Sequence, residues 1–155
     1  MAACNNSSAP ADTTNVPTEQ HKHDETAEKK DTTAILAGQK VFFPNLIDGQ
    51  EIKLPYVVKF GVEGMEVEPA QMPKEPNRGH HHLLVDREPV KAGTMVPMED
   101  PNYHHFGKGQ LLDTLSIEKY PMLTPGKHTL TLQFANGLHM SYGPAMSKQI
   151  HIVVK

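Results

Sequence analysis

The sequence has one cysteine, Cys4, and no tryptophan. A single thiol cannot close an internal disulfide, and without a Cys…Trp…Cys set a true antibody-type domain is excluded. No apolar run approaches the roughly 18 residues of a membrane-spanning helix. There is no His-Glu-x-x-His helix, no Gly-x-Ser-x-Gly elbow and no activated-cysteine setting, which removes the common zinc-protease, serine-hydrolase and thiol sites. A helical period is missing throughout. Basic charge is also short: 15 Lys and Arg stand against 18 Asp and Glu, for a net charge of -3. The basic stripe that nucleic-acid binding needs is therefore absent. Residues 1–33 hold six acidic and three basic groups, which accounts for the whole -3; residues 34–155 hold twelve of each.

What is present is turn chemistry and short apolar alternation. Thirteen Pro and eleven Gly in 155 residues argue for many turns within one domain. From Ala34 onward, Gln39 to Phe43 reads as a short apolar run, and Tyr56, Val58, Phe60 and Val62 as one face of a strand. Residues 63–79 and 87–109 read as long turn-rich loops, separated by a strand from His80 to Asp86. Leu111, Leu115 and Ile117 share a face of another candidate strand. After the Pro125-Gly126 turn, His128, Leu130, Leu132 and Phe134 alternate with polar residues. Asn136-Gly137 reads as a hairpin turn into Leu138-His139-Met140, and Ile150, Ile152 and Val154 mark a final strand. Six or seven short strands at this spacing predict an all-β fold, an immunoglobulin-like antiparallel β-sandwich over residues 34–155.

Residues 1–33 read differently. Rich in Asn, Ser, Thr, Pro and charge, they lack the apolar surface that offsets ordering entropy, so a disordered tail is expected. Met1-Ala2-Ala3-Cys4 resembles the end of a bacterial lipoprotein signal, which would make Cys4 the acylated residue of a chain tethered in the cell envelope or periplasm. His21-Lys22-His23-Asp24 sits in this tail as solvated filler or a mobile metal-capturing tract.

The stretch with the most chemistry is Gly79-His80-His81-His82-Leu83-Leu84-Val85-Asp86. Successive strand side chains point to opposite faces. His80 and His82 therefore share one face, and His81 shares the other with Leu83 and Val85. Imidazole is the commonest metal-ligating side chain, and two on one strand face can serve one ion. His104 and His105 fall in a loop whose flanking glycines permit close backbone approach, and His139 follows the Asn-Gly turn. His80, His82, His105 and His139 are thus the candidate metal ligands, with His81 and His104 as secondary candidates. His128 suits a core or rim position, and His151 an exposed one.

The GHHHLLVD stretch, the later HFGKGQ, the PGKHTLTLQF strand and the closing His139…Pro144…Ser147-Lys148-Gln149-Ile150 together resemble a family of small exported bacterial domains. That family is catalogued as a domain of unknown function, and some members carry a rod-shape-determining label that nothing in these residues explains. The resemblance covers roughly residues 40–155. It implies an exported β-sandwich, and it matches His80, His81, His82, His105 and His139 to the family's histidines. Where the pattern has a second late His, this chain has Tyr142.

These features lead to an envelope-anchored protein that binds a transition metal, since imidazole suits zinc, copper, nickel or iron and not calcium or magnesium. Met95 and Met98, upstream of His104, place copper slightly ahead of zinc, because soft thioethers favour Cu(I). No catalytic residue stands out, although Asp86, Glu99 or Asp113 could act as a base. Two other classes remain open: a metal-dependent oxidoreductase or hydrolase, and a structural module of the envelope that binds another protein and uses its histidines for hydrogen bonds.

Overall fold

In the computed structural model the described residues are 37–71 and 76–155. The expectations for the tail at residues 1–33, for acylated Cys4 and for His21 and His23 lie outside them. The described chain is all β, with ten strands and one short 3-10 turn. In chain order the strands are β1 (Lys40–Phe42), β2 (Gln50–Ile52), β3 (Tyr56–Lys59), β4 (Gly61–Glu63), β5 (Glu66–Val67), β6 (Arg78–Val85), β7 (Tyr103–His105), β8 (Leu112–Leu115), β9 (Gly126–Ala135) and β10 (Ser147–Val154). The 3-10 turn, Pro144–Met146, precedes β10.

The main sheet runs β2-β10-β9-β6-β5, and β7 also pairs with β6. Its three long strands, β6, β9 and β10, are antiparallel neighbours. Two short outer pairs, β2 with β10 and β5 with β6, are parallel. The pairs β1-β4 and β3-β8 form the opposing layer. Between the layers lies the main core. Leu83 and Val85 of β6, Leu130, Leu132 and Phe134 of β9, and Ile150 and Ile152 of β10 meet Val41, Val58, Phe60 and Leu115 there. The period-2 pattern is what builds this core: the alternating apolar residues of the long strands face inward.

Three local expectations are corrected. The segment from Tyr56 to Val62 is two strands, because β3 pairs with β8 while β4 turns to pair with β1. The stretches 63–79 and 87–109 are not loops throughout, since they contain β5 and β7. Leu111 and Ile117 flank β8 but are exposed, and only Leu115 of that set is buried.

On its other face the main sheet carries a smaller layer. Leu84 and Ala135 pack against Val90 and Val96 from the segment between β6 and β7. Buried Gln133 fixes that segment: its side-chain oxygen accepts from Val90 N at 3.1 Å, and its amide donates to the Gly143 and Met146 carbonyls. The histidine pair of β6 emerges on this face.

Candidate metal centre

His80 and His82 lie opposite Ala135 and Gln133 of β9, and His82 also lies opposite His105 of β7. Directly opposed residues in an antiparallel ladder share a face, so His80, His82 and His105 project together. His105 is thus on a strand and not in a loop. The fourth histidine comes from the turn after β9. There Asn136 Oδ1 accepts from both Leu138 N and Met140 N at 3.0 Å. His139 N donates to the Asn136 carbonyl, and His139 itself adopts a left-handed φ of 64°. That conformation is uncommon for a residue with a Cβ, and it turns the imidazole inward.

The four rings converge. His105 Nε2 is 3.1 Å from His80 Nε2 and 3.0 Å from His139 Nε2. One nitrogen from each of His80, His82, His105 and His139 can be chosen so that all lie within 4.8 Å of one another. Four nitrogens held tetrahedrally at about 2.0–2.1 Å from one ion stand roughly 3.3 Å apart. The two Nε2 separations from His105, 3.1 and 3.0 Å, are close to that spacing. His80 and His82 are fully buried, while His105 and His139 are half-buried. Outward, His105 borders a hollow of about 350 Å³ shared with Ala70, Gln71, Gly107, Lys108 and Gln110.

Hydrogen bonding does not account for this convergence. A neutral imidazole nitrogen carries either one proton or one lone pair, so His105 Nε2 can complete a full bond to only one of its two neighbours. Both ring nitrogens of His82, and Nδ1 of His80, are buried without a hydrogen-bond partner. Buried polar groups are normally paired. No carboxylate belongs to the cluster among the described residues.

Burial also sets the charge state. It drives His80 down to about 3, helped by the neighbouring His105 and His139. His82 is held well below the usual histidine range, again chiefly by burial. His105 and His139 are lowered for the same reason. At neutral pH all four are uncharged, with lone pairs available.

Two glycines and a short strap make the geometry possible. A Cβ on Gly107 would sit 2.1 Å from Cε1 of His105, so only glycine lets that ring fold back over the chain. A Cβ on Gly79 would meet the Ala135 carbonyl at 2.1 Å, which would part β6 from β9 beside the site. The strap is residues 68–71. Glu68 N donates to Gly79 O, Ala70 N to Gly107 O and Gln71 N to Gly137 O. It thereby ties together the three segments that carry the histidines. The glycines near His105 and the Asn136-Gly137 turn are both legible in the sequence; the strap has no local signal.

The secondary candidates lie elsewhere. His81 faces the main core, with ring centroids 5.6 Å from Phe60 and 5.0 Å from Phe134. Burial lowers it to about 4, against a weaker pull from the Gly61 backbone. His104 alternates away from His105 and stacks on Tyr120 at 4.0 Å. Tyr120 in turn donates to Asp113, which also pairs with Lys119. Tyr142 donates to the Arg78 carbonyl at 2.7 Å and stacks near Phe134, so it braces the start of β6. Asp86 is engaged by His128 and by Thr129 N.

A family model described as a domain of unknown function (DUF4399) matches residues 58–155. The chain belongs to this family. The match spans β6 to β10, and so all four converging histidines. No curated protein and no solved structure matches the chain. The DUF4399 assignment therefore carries no activity, and the site must be read from its own chemistry.

Proposed function

We propose that this DUF4399 protein binds one transition-metal ion, copper ahead of zinc, through His80, His82, His105 and His139. The observation that carries this reading is the approach of three Nε2 atoms, at 3.0 and 3.1 Å, beside buried His82, whose two ring nitrogens have no hydrogen-bond partner. One cation at their meeting point would accept every lone pair at once. Nitrogen sites follow the order that places Cu²⁺ above Zn²⁺, which favours copper, and zinc is the runner-up. Four protein nitrogens would fill a tetrahedral shell. Closed shells hold a metal, whereas catalytic sites keep a position open for water or substrate. That favours binding over turnover. The location we propose with it is the bacterial envelope, with Cys4 as the acylated anchor, on the strength of Ala2-Ala3-Cys4 alone. Loss of membrane fractionation in a Cys4→Ser precursor would support the anchor, and unchanged retention would count against it.

The test is elemental analysis of untagged protein, followed by titration of metal-free protein with copper and with zinc. One equivalent of tightly held metal, with copper displacing zinc, is expected. Metal-free native protein that also fails to take up either ion with better than micromolar affinity would remove the reading.

A further inference from the structure

The methionines divide unevenly. Met146 is fully buried, and Met65 and Met122 pack against the main core. Among the described residues, Met95 and Met98 are the exposed methionines, at 59% and 41%, and they line a single hollow of about 360 Å³ with Val96, Pro97 and Glu99. Met95 also sits directly opposite Met140 in an isolated antiparallel bridge. Opposed residues in such a bridge have their side chains adjacent on one face. Met95 thus neighbours Met140 across the bridge and Met98 across the hollow.

That patch is locked to the histidine site. Val96 N donates to the His139 carbonyl at 2.9 Å, and Ser141 N donates to the Thr94 carbonyl at 2.9 Å. Met140 follows His139 in the chain, and its own N–H is held by Asn136. The exposure of Met95 and Met98 leaves apolar side chains in water, where core filling cannot explain them. Thioethers are soft ligands that select Cu(I) over Zn²⁺, and three rotatable bonds let each sulfur reach a common point.

We propose that Met95, Met98 and Met140 form a second, exposed site for a soft monovalent ion, Cu(I), which passes it to the histidine site beside it. The transfer rests on the histidine reading above; the thioether site does not. The exchange is a ligand substitution with no change of oxidation state: sulfurs leave the ion as imidazole nitrogens take it, so the ion delivered is Cu(I), distinct from the Cu²⁺ that the histidine site binds directly.

Ag(I) is a redox-inert probe of such a site. Protein labelled at the methionine methyl carbons, titrated with Ag(I), should show shifts at Met95, Met98 and Met140 and none at Met65, Met122 or Met146. Zn²⁺ should move none of them. The double variant Met95→Leu, Met98→Leu keeps the volume and apolar character of both side chains. It should lose one equivalent of Cu(I), leave the zinc affinity of the histidine site unchanged, and slow Cu(I) loading of that site about tenfold or more. Absence of the selective Ag(I) shifts would overturn the site. Normal loading in the double variant would overturn the transfer. Failure of the histidine site would show separately, as selective thioether shifts in a protein that binds no zinc.

Discussion

Two sets of histidines in this chain meet very different company. His128, with 10% of its side chain exposed, has an oxygen at each ring nitrogen: Asp86 Oδ2 at 2.8 Å and the Thr124 carbonyl at 2.8 Å. His151, 70% exposed, pairs with Asp48 at 3.0 Å. The four histidines of the cluster are given one another and, among the described residues, no carboxylate. An acceptor oxygen takes up a ring N–H within the protein, whereas three Nε2 atoms that meet at one point cannot all pair with one another. On the reading proposed above, the neighbour decides between a strut and a ligand.

The largest effect should come from breaking the nitrogen cluster itself. His80→Ala and His82→Ala each should weaken copper and zinc binding by more than about 100-fold, beyond the usual cost of losing a supporting group. His128→Ala should leave metal affinity unchanged while lowering the melting temperature. Calorimetric titration at pH 7.5, with circular dichroism to confirm folding, checks both. Equal losses at the two sites would erase the distinction between strut and ligand.

Gly107→Ala tests positioning without touching a ligand atom. Its Cβ would collide with the His105 ring, so affinity should fall about 10- to 100-fold, as for other groups that orient a ligand. An unchanged affinity would mean that the ring has somewhere else to go.

His81→Ala sharpens the comparison within the triplet. Its ring fills core space between Phe60 and Phe134, so removal should cost about 2–4 kcal/mol of stability, as other large-to-small core changes do. Metal affinity should shift far less than in the His80 and His82 variants. Urea denaturation of the metal-free variant reads the first quantity and titration the second.

A further effect follows from acid. In the metal-free protein His80 and His81 titrate near 3 and 4, below the 6.5 of an ordinary histidine. As pH falls, the unfolded chain therefore takes up protons before the folded one does. Stability should be complete above about pH 6.5 and decline from there towards pH 4 and 3. The double variant His80→Gln, His81→Leu should flatten that decline, as followed by urea midpoints across the range. A decline of equal slope in that variant would place the sensitive groups elsewhere.

Much of this arrangement was legible before folding. Period-2 alternation separated His80 and His82 from His81, and it marked β6, β9 and β10, because long strands with one apolar face write that pattern plainly. His105 was named as a candidate but assigned to a loop. A three-residue strand between glycines and prolines is too short to show a period, and β7 exists only because β6 offers it an edge. The parallel pairing of β2 with β10 spans some hundred residues of chain, and nothing local announces it. His104 was drawn towards the site by adjacency to His105, yet strand alternation sends it to Tyr120. The strap at residues 68–71 ties the three segments through backbone amides, and those bonds leave no periodic pattern in the sequence.

The central claim is that four imidazoles close on one ion. X-ray absorption at the metal edge of the loaded protein measures that directly. The account predicts four nitrogen scatterers at about 2.0–2.1 Å, with the outer-shell signature of imidazole and one ion per chain. A first shell dominated by oxygen, or with two nitrogens or fewer, would contradict it.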